Sequence, residues 1–180
     1  MEDKELLEQF RNSETRLPAF NTIVKQYQQK IYWHIRKMVI DHDDADDLTQ
    51  EVFIKVWNKL ESFRGDSQLY TWLYRVASNE CLNFLSKKRK TYFTTIEDTV
   101  GLEMENKLVS DSLIDGDEIQ IKLQKALLKL PDKQRLVFNM KYYEEMKYEE
   151  IAEITGTSVG ALKASYHLAV KKIEDYLTID

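Results

Sequence analysis

The sequence predicts an all-α protein of two helical bundles joined by an acidic flexible linker. Three observations carry this reading. Apolar residues recur at helical spacing through most of the 180 residues. With 5 glycines and 2 prolines, the chain lacks the breakers that a turn-rich β fold or a doubly wound α/β fold needs. Between the periodic stretches lies one segment, residues 93–117, with seven acids against one base and no clean apolar period. At 43% hydrophobic and 32% charged residues, the chain has enough apolar surface to build a core and is not a disordered polyelectrolyte.

The elements follow in order. Phe20, Ile23, Val24, Tyr27, Ile31, Ile35 and Met38 make a helix over residues 19–40. The acidic break Asp41–Asp47 leads into a second helix with Leu48, Val52, Phe53, Val56, Trp57 and Leu60 on one stripe. A loop around Gly65 follows, and Asp66 or Ser67 suits the start of the next helix. That helix carries Leu69, Trp72, Leu73, Val76, Ala77, Phe84 and Leu85. It ends in Lys87-Lys88-Arg89-Lys90, cations that suit a helix C-terminus. After the linker, Ile119, Leu123, Ala126, Leu127 and Leu130 make a helix that stops near Pro131, which fits the first turn of the next. Two last helices are broken at Gly156-Thr157-Ser158. The domain organisation is therefore residues 1–92, a linker over 93–117, and residues 118–180.

Charge first argues against a nucleic-acid protein, because the chain carries a net −5. Divided, the objection goes. Residues 1–92 hold 15 bases and 14 acids, residues 118–180 hold 10 of each, and the linker alone is at −6. The single cysteine, Cys81, excludes an intrachain disulfide or a thiolate zinc site. The acidic, amphipathic start is not a signal peptide, and no stretch reaches about 20 apolar residues. The expectation is a cytoplasmic protein that is not itself a membrane protein.

The most specific local pattern is Tyr148-Glu149-Glu150-Ile151-Ala152-Glu153-Ile154-Thr155-Gly156. Ala152 is small where a second helix must cross, Gly156 can take a positive φ, and Ser158 can cap the following helix. That helix keeps Val159, Leu162, Tyr166, Ala169 and Ile173 inward and presents Lys163, Ser165, His167, Lys171 and Lys172 elsewhere. This is helix-turn-helix geometry, with a second helix able to enter a major groove; an ordinary helical hairpin with solvated lysines fits the same residues. Arg75, Asn79 and Asn83 form a polar stripe at i, i+4 and i+8. Together with Phe63, Tyr70, Trp72 and Tyr74 they suit bases, including unstacked ones, although Trp72 and Phe63 fit a place in the core as well. The run Lys87, Lys88, Arg89, Lys90 suits phosphates, and taken alone equally suits water.

Other chemistries fail on the residues. An EF-hand loop begun at Asp41, Asp43 or Asp44 would need glutamate where Val52, Ile54 or Lys55 stand. His34, His42 and His167 have no obvious partners. No catalytic residue, metal site or cofactor is expected.

Together, DDADDLTQEVFIKVW, FRGDSQLYTWLYRVASNECLNFL and LPDKQRLVFNMKYYEEMKYEEIAEITGTSVGALKASYHLAVKKI, in this order and spacing, resemble bacterial RNA polymerase sigma factors of the extracytoplasmic-function (ECF) group over residues 17–178. The resemblance implies a sigma domain 2, a connector and a sigma domain 4, and an initiation subunit rather than an enzyme. It implies core RNA polymerase, promoter DNA and an anti-sigma factor, often membrane-bound, as partners. By resemblance, Asp47, Gln50, Glu51 and Lys55 would face polymerase. Phe63, Arg64, Ser67, Tyr70, Trp72, Arg75, Asn79, Asn83, Lys87, Lys88 and Arg89 would handle the minus-ten element. A flipped base would sit in a pocket between Phe63 and Tyr70. Ser158, Lys163, Ser165, His167, Lys171 and Lys172 would face the minus-thirty-five element. One departure stands out: the stretch from Lys163 to Lys172 has no arginine, so this helix offers no bidentate guanine contact. The bundles, at only +1 and 0, are expected to hold duplex DNA weakly unaided. The rival readings are a self-sufficient helix-turn-helix regulator and a scaffold.

Overall fold

The structure, a computed structural model, describes residues 2–91, 99–110 and 117–179. Among these residues it is all-helical: α1 (Asp3–Arg11), α2 (Arg16–Val39), α3 (His42–Lys59), α4 (Leu69–Thr91), α5 (Thr99–Ser110), α6 (Glu118–Leu128), α7 (Asp132–Tyr142), α8 (Tyr148–Thr155) and α9 (Val159–Thr178). A turn of 3₁₀ helix, Leu60–Ser62, extends α3.

Helix α2 is the axis of the N-terminal half, packed against α1, α3 and α4. Its buried stripe, including Ile23, Tyr27, Ile31, Ile35 and Met38, follows the spacing read from the sequence. Helix α1 was not anticipated as an element. It forms because Leu6, Leu7 and Phe10 are buried, with Phe10 edge-on to Trp57 at 5.4 Å between ring centres. The corner between α2 and α3 is a three-residue turn in which the Asp41 amide donates to the Val39 carbonyl at 2.8 Å. Its central residue, Ile40, sits at φ 68°, a conformation that β-branched side chains rarely adopt. Asp41 then caps α3, its side chain accepting from the Asp44 amide at 2.9 Å. Helix α4 starts at Leu69, later than a cap at Asp66 or Ser67 implies.

The segment read as a flexible linker needs the main correction. Within it α5 forms, burying Val100, Met104 and Leu108 at i, i+4 and i+8 in the main core. Its acids are held by cations from several elements. Glu103 faces Lys88 and Lys107 at 3.3 Å each, and Glu105 faces Lys129 at 3.5 Å. The rest of the expected linker, 93–98 and 111–116, lies outside the described residues.

In the C-terminal half, α7, α8 and α9 surround Leu162, Ile151 and Met140, and α6 packs on α9. Pro131 stands just before α7, one position earlier than expected. The two halves share apolar contacts: the main core runs without a break from Leu6 to Leu162, taking in Leu136, Val137, Met140, Met146, Ile151 and Ile154. A second cluster, Ala126, Leu127, Leu130, Phe138, Ala169 and Ile173, belongs to the C-terminal half alone.

Candidate nucleic-acid interface

Three surfaces carry the residues singled out above. The first is the outer face of α3. Asp47, Gln50 and Glu51 are exposed on it, while Lys55 is half-buried and pairs with Glu80 of α4. Sequence reasoning missed Ile54, which is 61% exposed on the same face. The signal was available: Ile54 lies off the apolar stripe of its own helix, where an isoleucine gains nothing from folding.

The second surface is the loop 63–68 with α4. Phe63 is only 8% exposed and lies against Trp72, ring centres 5.2 Å apart. Its carbonyl accepts from Arg11 Nη2 at 2.9 Å, which ties the loop to α1. Gly65 turns the chain at φ 78°. Arg64 is exposed and Ser67 half-buried, and both line an open cavity of about 680 Å³ flanked by α1 and by Glu150 and Glu153 of α8. Tyr70 does not share that cavity. It meets Tyr74 at 4.6 Å and lines a separate cavity of about 400 Å³ with Trp33, Lys30 and Lys37. Phe63 and Tyr70 do not themselves line the loop cavity, which takes Arg64 to Leu69 between them: Phe63 is core, and the start of α4 at Leu69 sends Tyr70 to another face. Burial pushes the Tyr70 phenol up to about 12. Trp33, 42% exposed beside it, is a second residue the sequence reading passed over.

Along α4, Arg75, Asn79 and Asn83 are exposed, as the i, i+4, i+8 spacing implies. Arg75 is engaged, its Nε donating to the Glu153 carbonyl of α8 at 3.1 Å. At the basic end Lys87 is exposed. Lys88 lies 3.6 Å from Asp44 and 3.3 Å from Glu103, and Arg89 pairs with Asp132 of α7.

The third surface is the helix-turn-helix. The Lys147 amide donates to Glu150 Oε2 at 3.0 Å, closing the first turn of α8. Gly156 ends α8 at φ 70°, ψ 18°, its amide donating to the Ala152 carbonyl at 2.8 Å. Ser158 Oγ accepts from the Ala161 amide at 3.2 Å and starts α9. Lys163, His167, Lys171 and Lys172 are exposed on α9, and Ser165 is half-buried. Lys172 reaches Gln134 at 3.2 Å, and Lys163 stands 5.8 Å over the Tyr148 ring. Leu168, exposed on the same helix, is an apolar addition the sequence reading left out.

Two histidines have partners the sequence did not disclose. Buried His34 meets Glu144 through Nδ1 at 2.8 Å and Ser78 through Nε2 at 2.9 Å, and His42 meets the Tyr32 hydroxyl. Cys81 is fully buried, and burial pushes its thiol far above the usual range, so it stays protonated. Among the described residues no three His, Cys, Asp or Glu side chains converge on a metal position, and no helix is long and apolar enough to cross a membrane.

Comparison with known proteins agrees with this layout. Family models for Sigma-70 region 2 and Sigma-70, region 4 match residues 23–91 and 120–173. The chain is 36% identical over 156 residues to the ECF RNA polymerase sigma factor SigW of Bacillus subtilis, covering 83% of each protein. It is 32% identical over 183 residues to the RNA polymerase sigma-H factor of Pseudomonas aeruginosa, covering 98% of this chain and 94% of that one. Its fold is that of CnrH, solved in complex with the cytosolic domain of CnrY, at TM-score 0.70 and 22% identity over 99% and 98% of the two chains. The sigma factor RpoE of Bartonella quintana, solved with the anti-sigma factor NepR, gives TM-score 0.63 at 22% identity over 89% and 98%. A helix-turn-helix with a left-handed glycine, a polar stripe on α4, and these matches over both halves lead to one assignment: the chain belongs to the ECF sigma factors of the sigma-70 family.

Proposed function

We propose that this sigma factor divides its work among the three surfaces. The outer face of α3, with Asp47, Gln50, Glu51 and Ile54, docks on core RNA polymerase, and Lys55 supports it from the edge through Glu80. Residues 1–92 read and open the minus-ten element. Arg64 and Ser67 serve an unpaired base in the loop cavity, and Arg75, Asn79 and Asn83 serve the adjoining duplex. Residues 118–180 place α9 in the major groove of the minus-thirty-five element, with Ser158, Lys163, Ser165, His167, Lys171 and Lys172 turned to DNA. Without arginine on α9, that contact leans on phosphate and groove shape.

The protein acts in the cytoplasm and has no catalytic role of its own. An anti-sigma factor controls it, in keeping with the structure of RpoE, a protein of the same fold, in complex with the anti-sigma factor NepR. The observation that carries the reading is the exposed Arg75, Asn79, Asn83 stripe on the helix that follows the loop cavity. The test is transcription in vitro with purified core polymerase and genomic templates. Initiation at defined promoters, dependent on the added protein, is expected; no promoter-dependent transcript would overturn the proposal.

A further inference from the structure

Trp33 of α2 has no part in the three surfaces, yet it is 42% exposed in a helix whose other large apolar side chains are buried or half-buried around it. It is the common wall of two open cavities. One, of about 400 Å³, runs toward Tyr70 and Tyr74 of α4. The other, of about 410 Å³, runs toward Asp46 and Thr49 of α3. Gln29, one turn before Trp33, borders both.

The ring is held in place rather than left to swing. Tyr32 packs edge-on to it with ring centres 5.3 Å apart, and the Tyr32 hydroxyl is itself tied to His42 Nδ1 at 2.5 Å. Tyr70 and Tyr74 meet at 4.6 Å across the first cavity, so three aromatic side chains line one recess. Aromatic side chains left open in this way suit nucleobases, because every base offers a π face. The charges beside them have the matching sign. Lys30 borders the recess and Lys25 the cavity on the α3 side, and both are exposed. Among the described residues neither is paired, whereas Lys88 and Arg89 of α4 already face carboxylates. Glu144 lies at the recess too, but its charge is met by His34 at 2.8 Å and Lys37 at 3.8 Å. Asp46 alone opposes the two lysines. Lys25 and Lys30 stand about 7.5 Å apart along the helix axis, with Trp33 the next turn on.

We propose that this face of α2 is a second site for single-stranded nucleic acid, with a base stacked on Trp33 in the recess and flanking phosphates on Lys30 and Lys25. The occupant is a strand and not a duplex, since paired and stacked bases have no open face to offer the indole. An acidic protein segment would answer the lysines alone. During initiation the site gives the displaced DNA strand a hold outside the loop cavity; that use rests on the proposed function, whereas the binding does not.

The experiment uses the full chain and a labelled oligothymidylate, with anisotropy for affinity and tryptophan fluorescence for contact. The Trp33 signal is the difference between wild type and Trp33→Phe, and circular dichroism checks that helix content is unchanged. Quenching of that signal is expected. Trp33→Ala weakens binding about 5–150-fold, the value of one stacked base, with the salt slope unchanged. Trp33→Phe, which keeps a ring, recovers most of that loss. Lys25→Gln with Lys30→Gln keeps the quench but lowers the slope of log affinity against log salt by about 1.4, or two single-strand phosphates. Wild-type affinity in Trp33→Ala, equal affinity for blunt duplex, or an equal quench by thymidine monophosphate or polyglutamate overturns the proposal. An oligouridylate bound more tightly than the oligothymidylate would assign the site to RNA and overturn its use on the displaced strand. Because no polymerase or promoter is present, an unquenched Trp33 removes the site and leaves the initiation test standing, and failure of that test leaves a quenched Trp33 standing.

Discussion

Phe63 separates two ways in which a loop residue can affect promoter opening. Its ring is 8% exposed and rests on Trp72. Phe63→Ala therefore removes core, at a cost of about 3–5 kcal/mol. The neighbouring loop can relax into part of the space, which favours the lower end, about 3 kcal/mol. In a chain of this size each kcal/mol moves Tm by about 2–4 °C, so a fall of about 6–12 °C is expected in far-ultraviolet circular dichroism melts. Phe63→Leu keeps most of the apolar volume and recovers most of that loss. Arg64→Ala and Ser67→Ala touch no core and stay within about 2 °C of wild type. They slow opening instead, followed by a fluorescent base analogue in the minus-ten strand at saturating polymerase. The reasoning fails if Phe63→Ala melts like the wild type yet loses opening, because the ring would then be acting on DNA rather than on the fold.

Other consequences can be checked in the same way. Gly156 and Gly160 both have open space where a Cβ would go, but only Gly156 has positive φ, at 70°. Gly156→Ala is expected to lose about 1–2 kcal/mol and Gly160→Ala to gain about 0.4–1 kcal/mol in denaturant unfolding; shifts of the same sign would refute the backbone account. Ile54→Ala leaves Tm unchanged, since the side chain is 61% exposed. It weakens core polymerase binding about tenfold or more, the value of covering an isoleucine, as read by anisotropy titration; unchanged affinity removes Ile54 from that face. The Asp41 carboxyl is held below the usual range by the Asp44 amide first, with Lys107 assisting and burial opposing. Its contribution is present above its unfolded pKa of about 3.9 and is lost as pH falls through the lower folded value. Asp41→Asn keeps a capping acceptor but does not titrate, so Tm should fall less steeply with acid below about pH 4; an unchanged acid arm would count against the assignment.

How much was legible depends on whether the cause of each feature was local. Helices α2, α3, α4 and α9 were readable because each carries its own apolar stripe, and the turn before α9 because Gly156 and Ser158 do their work within a few residues. Helix α1 was not, since nine residues are marginal alone and Phe10 finds its partners at Phe20 and Trp57. Helix α5 was hidden by its acids. Val100, Met104 and Leu108 are a clear stripe only once Lys88, Lys125 and Lys129 neutralise Glu103 and Glu105. At the candidate site, the exposed stripe of α4 followed from spacing. The separation of Phe63 from Tyr70 did not, because it turns on where α4 begins. The pairing of His34 with Glu144, 110 residues apart, has no local signature at all.

The same long-range pairing changes what the charge arithmetic means. Splitting the −5 by segment left a near-neutral N-terminal half, with Lys87 to Lys90 as its basic end. In the folded chain Lys88 already faces two carboxylates and Arg89 a third. The field that DNA meets is therefore weaker than the segment sum suggests. The number of phosphates the protein can neutralise, and with it the slope of DNA affinity against salt, is then set by how these cations are paired in the fold and not by segment charge alone.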